Sequence, residues 1–207
     1  IAQETWPIIA LTAFIMLYLV VGIPAITSLR SDVFYAKEHI SLFLLHYISL
    51  PALACIFYTI IKNIKRLSKQ ACTILGWLLV VCAVVILSVE LDNTIVQFWG
   101  TSDNYSDLLY DVRTFGYPIL WGILAMILMI WGLKAKEALL RQISLGFFAF
   151  IILKFYISDI WLMSQTGRII SFVVLGIILL LVSFLIQKIK VLIKEDKEDT
   201  NERNIEE

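Results

Sequence analysis

The chain has 207 residues, 60% of them hydrophobic and 16% charged, with a mean hydropathy of +0.86 and a formal net charge of zero. That balance excludes an ordinary water-soluble domain, which needs more polar side chains to cover its surface, and it offers no net charge to attract nucleic acid. The residues divide instead into apolar runs of about 20, each long enough to cross a hydrocarbon core of roughly 30 Å.

The chain opens at Ile1, and Thr5-Trp6-Pro7 leads into an apolar run that is too long for a signal peptide and has no basic region before it. A fragment or processed form of a longer chain is expected. Reading apolar runs against polar breaks places spans at 7–29, 40–61, 71–89, 114–133, 138–158 and 169–187. Pro7 and Pro118 fall in first helical turns, where a missing N–H costs nothing, whereas Pro24 and Pro51 lie inside spans and are expected to kink them. Carbonyls released at those kinks need partners on neighbouring helices, so the spans must form a bundle. Cys55, Cys72 and Cys82 fit no metal spacing and read as buried small hydrophobes.

Direction follows from the basic residues. Lys62, Lys65, Arg66 and Lys69 separate spans two and three, Lys134, Lys136 and Arg141 separate spans four and five, and Lys188, Lys190 and Lys194 follow span six. These segments are cytoplasmic by the positive-inside rule. The opposite loops hold only Arg30, Lys37, Arg113 and Arg168, mostly accompanied by acids. The fold expected is therefore all-α, a polytopic bundle of about six transmembrane helices with both ends of the chain inside. Trp6, Trp77, Trp99, Trp121, Trp131 and Trp161 stand near span ends, where an indole buries its ring and keeps its N–H in water. After the bundle, 1–192, the stretch 193–207 is nearly all polar and reads as a disordered cytoplasmic tail.

Three sets of polar residues invite a chemical reading. His39 and His46 share a helix face but stand two turns, about 10 Å, apart, too far to hold one metal ion unaided. His46 is expected to hydrogen-bond within the bundle and His39 to sit near the interface. The outer loop 90–113 is acidic, and Asp103, Asp107 and Asp111 recur at i, i+4 and i+8, which places three carboxylates on one face of a short surface helix opposite Leu108, Leu109 and Val112. Tyr105 occupies a position where a calcium loop needs a ligand, so the acidic face reads as solvated and no metal site is assigned. Asn104-Tyr105-Ser106 has the spacing of a glycosylation acceptor, which matters only in a eukaryotic secretory setting.

The third set is Lys154, Asp159 and Arg168. Lys154 lies about four residues, roughly 6 Å, inside the outer end of span five, within snorkelling reach of water. Asp159 is five residues on, about 140° around an α-helix, so the two are not a standard helical pair. A polar clasp is expected, with Asp159 capping a short interfacial helix and Arg168 gripping its carboxylate.

Leu120-Trp121, Gly132-Leu133, Leu140-Arg141, Gly146, Lys154-Phe155 with Asp159, Arg168-Ile169, Ser171-Phe172, Gly176 and Gln187 together resemble a large bacterial family of predicted membrane proteins, domain of unknown function twenty-three thirty-nine. The resemblance covers roughly 114–190 and implies the C-terminal region of a longer polytopic chain. Ile160 and Ile186 depart from the Leu and Tyr usual there, both by apolar replacement. It implies no reaction, substrate or cofactor.

No nucleotide loop, zinc-protease helix or serine elbow stands in the sequence. The reading is an integral membrane protein of the bacterial inner membrane with a structural, envelope or transport-associated role. The alternative is a permease subunit with its polar site at Lys154, Asp159 and Arg168, and an intramembrane enzyme on lipid or glycan carriers ranks behind both. The bilayer, further spans of a longer chain or other membrane subunits are its partners; no cofactor is implied. In a chain freed of its native cysteines, single cysteines at Lys65 and Lys136 are expected to react with an impermeant thiol reagent only from the cytoplasmic side, and one at Ser102 only from outside. Labelling at Lys136 from outside in sealed cells refutes the six-span topology.

Overall fold

In a computed structural model, the described residues are 2–35, 40–159 and scattered positions between 161 and 187. His39, the expected tail at 193–207 and nearly half of the expected span at 169–187 lie outside them. Every regular element among the described residues is helical. Among the described residues, five segments are long and apolar enough to cross a membrane: Thr5–Tyr35, Phe43–Arg66, Lys69–Trp99, Tyr105–Lys134 and Ala138–Ile157. The all-α polytopic fold is as the sequence implies, because a chain in lipid must close its backbone hydrogen bonds internally.

Pro24 and Pro51 leave their mark, and Pro7, expected in a first helical turn, lies inside its helix. The first segment comprises α1 (Ala2–Leu17), a π turn (Tyr18–Gly22) and α2 (Ile23–Tyr35). Pro24 has no N–H for the Val20 carbonyl, and the wider π turn falls on that stretch. The second segment comprises α3 (Ile40–Leu45), a 3-10 turn (His46–Ile48) and α4 (Ser49–Asn63). Here Pro51 cannot serve the Tyr47 carbonyl, and the backbone tightens just before it. After a basic turn, Ser68 caps α5 (Lys69–Trp99) by accepting the Ala71 N–H at 3.3 Å.

Helix α5 differs from the expected third span. It does not end at Val89 but continues ten residues further to Trp99, through Glu90, Asp92 and Asn93. Its 31 residues are about 46 Å long, more than a hydrocarbon core requires, so the extra turns carry polar residues out of the apolar layer. It stops at Gly100, where a Cβ would stand 2.4 Å from the Val96 carbonyl oxygen.

The expected surface helix around 103–111 is corrected as well. Helix α6 (Tyr105–Asp111) runs through a π turn (Val112–Gly116) directly into α7 (Tyr117–Lys134), so it forms the first turns of the fourth segment and does not stand apart. The chain ends its continuous description with α8 (Ala138–Lys154) and a π turn (Phe155–Asp159).

The fold divides into two compact units, Ile1–Trp121 and Gly122–Glu207. In the first, Ile8 and Ile15 of α1, Leu53 and Ile60 of α4, and Leu75, Leu79, Cys82 and Ile86 of α5 form one buried cluster. Their spacings of three, four and seven give each helix a single inward stripe. Outward positions such as Ile9, Phe14 and Val20 are just as apolar, as a surface that meets lipid must be. Of the three cysteines, Cys82 is buried as expected, Cys72 is half-buried and Cys55 is exposed.

In the second unit, α7 and α8 form a tight hairpin. The Glu137 N–H donates to the Gly132 carbonyl at 3.0 Å, and Lys136 takes the left-handed backbone (φ 53°) that reverses the chain. Gly132 permits this approach, since a Cβ there would lie 2.9 Å from the Arg141 backbone nitrogen. Gly132→Ala is therefore expected to destabilise the second unit by about 1–3 kcal/mol, measured as a lower unfolding midpoint in detergent, because neither backbone can yield cheaply.

Candidate functional site

The polar residues of the first unit converge on the last turns of α5. Arg30, near the end of α2, is 1% exposed. Its Nη1 donates to Asn93 Oδ1 at 2.9 Å, its Nε donates to the Tyr105 hydroxyl at 3.2 Å, and Nη1 stands 3.9 Å from Asp92 Oδ2. One guanidinium thereby ties α2, α5 and α6 together. Phe34 and Tyr35 pack their rings against Tyr105 and close this corner.

Asp92 serves the opposite neighbour as well. Its Oδ2 accepts Arg113 Nε at 3.1 Å and Nη2 at 3.0 Å. The π turn that carries Arg113 re-aims this side chain at α5, a use often found for such turns. Asp92 is 2% exposed, whereas the Arg113 side chain is 52% exposed, so the pair joins the interior to the surface. The other carboxylate oxygen, Oδ1, is buried and has no hydrogen-bond partner among the described residues. One turn earlier, Ser88 Oγ accepts the Trp121 indole N–H at 2.9 Å and donates to the Val84 carbonyl at 2.7 Å. The Trp121 N–H thus binds a neighbouring helix, contrary to the expectation that it keeps to water.

Glu90 lies about 200° around the helix from Asp92 and faces a different element. Its Oε2 stands 3.1 Å from His46 Nε2 and accepts Asn93 Nδ2 at 3.4 Å. His46 Nδ1 bonds the Phe43 carbonyl, and the imidazole packs against the Phe43 and Tyr47 rings. Ser49 Oγ donates to the His46 carbonyl at 2.6 Å and meets the Tyr18 hydroxyl at 3.2 Å. Both serine hydroxyls are committed to backbone carbonyls, so neither is poised as a nucleophile. What the set can do is fasten helices and hold charge.

The residues singled out in the sequence fall elsewhere. Asp103, Asp107 and Asp111 are exposed, with Asp103 ahead of α6 and the other two on it. Among the described residues no group of three or more His, Cys, Asp or Glu is arranged to hold a metal ion. Lys154 is half-buried at the end of α8, and Arg168 is half-buried. The Asp159 side chain, and with it the clasp, lies outside the described residues. The backbone does alter the register assumed for it. A π turn closes bonds five residues apart, so position 159 stands closer around the axis to position 154 than the roughly 140° of an α-helix.

Arg30, Glu90, Asp92 and Arg113 were legible only as loop charges. The signal that marks them otherwise is the apolar pattern after them: Ile95, Val96, Phe98 and Trp99 continue the helix past Asn93.

A family model described as "Predicted membrane protein (DUF2339)" matches residues 1–189. The likeness therefore begins at the first residue and is not confined to 114–190 or to a C-terminal region. No curated protein and no solved structure matches the chain.

The two arginines give a clean contrast. Arg30→Gln is expected to cost on the order of 3 kcal/mol, because it strips the nearest interior cation from a buried carboxylate and unties three helices. Arg113→Gln is expected to cost about 1 kcal/mol or less, since water screens its half-exposed guanidinium. Thermal unfolding of both variants in the same detergent measures the difference, and equal losses contradict the burial assigned to Arg30.

Proposed function

The chain belongs to the DUF2339 family of predicted membrane proteins, and from that premise we propose that it is a structural, non-enzymatic component of a bacterial inner membrane, with both chain ends cytoplasmic. The observation that carries this reading is Arg30. A cation 1% exposed, bonded to Asn93 and Tyr105 and close to Asp92, holds helices in one arrangement. Ionisable residues in a permease line a water-filled passage and keep some bonding capacity for cargo. Here the buried charges of the first unit, Arg30, Glu90 and Asp92, are bonded within one cluster near the outer ends of the helices. A bundle locked in this way suits a scaffold for other membrane subunits or further spans.

The polar residues of the second unit fit the same role. Lys154, Asp159 and Arg168 form, in this reading, a clasp at the outer turn, with Arg168 as the direct partner of Asp159. Removing either partner is then costly, and removing both costs less than the sum of the two, the signature of a pair.

Proteoliposomes separate the structural role from transport. With the whole chain reconstituted, a pH gradient or a gradient of entrapped anionic dye is expected to decay no faster than in protein-free vesicles. Faster decay that Lys154→Gln or Asp159→Asn abolishes, while the amount of folded protein stays constant, overturns the structural reading in favour of a permease.

A further inference from the structure

We propose that His46 and Glu90 form a proton-binding site, in which one exchangeable proton is held between His46 Nε2 and Glu90 Oε2. The argument starts from the other side of the ring. A carbonyl oxygen only accepts, so the bond between His46 Nδ1 and the Phe43 carbonyl requires a proton on Nδ1. A neutral imidazole with its proton on Nδ1 has a bare lone pair at Nε2. That atom faces a Glu90 oxygen at 3.1 Å, and a carboxylate oxygen is also an acceptor. Two acceptors at this distance repel unless a proton lies between them.

The proton count follows. The pair carries either an imidazolium and a carboxylate or an imidazole and a carboxylic acid, and both forms hold one proton more than neutral His with ionised Glu. The bound pair is neutral. Release to water leaves a net charge of −1 and two lone pairs face to face, which loosens the contact between the second segment and α5. The Glu90 side chain is 10% exposed and that of His46 4%.

Geometry fixes the rest of the site. The Phe43 and Tyr47 rings pack against the imidazole, and Asn93 steadies Glu90 Oε2 from α5. The other titratable or charged groups around it are Tyr18 from the first segment through Ser49, Arg30 from α2, Asp92 from α5, Tyr105 from α6, and Arg113 with Tyr117 beyond Asp92. Of these, none bonds a ring nitrogen of His46, so the exchangeable proton belongs to the pair. By the proposed topology the site senses acidity on the outer face of the membrane, and it is distinct from any passage across it.

The chain has two histidines, so ring-15N histidine in nanodiscs gives a readable spectrum, and His39→Gln leaves His46 alone. The expected result is a protonated Nδ1 at every pH at which the protein is folded. Nε2 should titrate in one step that Glu90→Gln displaces by about one pH unit or more, as coupled groups do. A bare Nδ1 with the proton resident on Nε2 overturns the proposal, and so does a step that Glu90→Gln leaves in place. The Nδ1 reading needs no substitution at Glu90, so it decides the matter even if Glu90→Gln fails to fold.

Discussion

A guanidinium with almost no access to water constrains everything around it. Arg30 cannot lose its charge, and leaving it unpaired in a bundle of apolar helices would cost several kcal/mol. The neighbouring elements are arranged to prevent this. Asn93 offers a carbonyl, Tyr105 a hydroxyl oxygen, and Asp92 a compensating charge, each from a position that exists only if α5 stays helical to Trp99 and α6 starts at Tyr105. The extended helix and the buried cation therefore imply one another.

Helix α5 is the member on which the first unit depends. Its N-terminal half supplies Leu75, Leu79, Cys82 and Ile86 to the apolar cluster, and its C-terminal half supplies Ser88, Glu90, Asp92 and Asn93 to the polar one. The two halves act through different physics. In lipid the apolar contacts bring packing but little hydrophobic drive, because lipid tails are as apolar as the side chains they would replace. Directional bonds at the C-terminal end supply the specificity that packing alone lacks. They also reach around the helix, with Asp92 and Glu90 on different faces, so α5 is gripped from several sides.

Breaks in regular helix mark the places where this grip is made. The π turn at 112–116 presents Arg113, the 3-10 turn at 46–48 holds His46, and the π turn at 18–22 carries Tyr18 toward Ser49. Pro24 and Pro51 account for two of the three, since each removes one backbone donor and forces its helix to change pitch. Irregular backbone within a bundle is tolerated where side chains or neighbouring helices satisfy the groups it frees, and Ser49 does so for the His46 carbonyl.

Much of the fold was determined by the sequence alone. Apolar runs of about 20 residues, basic residues on alternate loops and two interior prolines are local properties, and lipid leaves a helix as almost the only answer to such a run. The site was another matter. Arg30 and Asp92 are 62 residues apart, and Glu90 and His46 are 44 apart, so nothing in their immediate surroundings distinguishes them from loop charges. A break in hydropathy at Glu90 ended the span in the sequence, yet the helix went on, because partners on three other elements satisfied the polar residues that seemed to close it. Lys154, Asp159 and Arg168 drew attention for the opposite reason, being close in sequence and near an apolar run. Which charges are buried is decided by what stands opposite them, and only tertiary structure brings the opposite side into place.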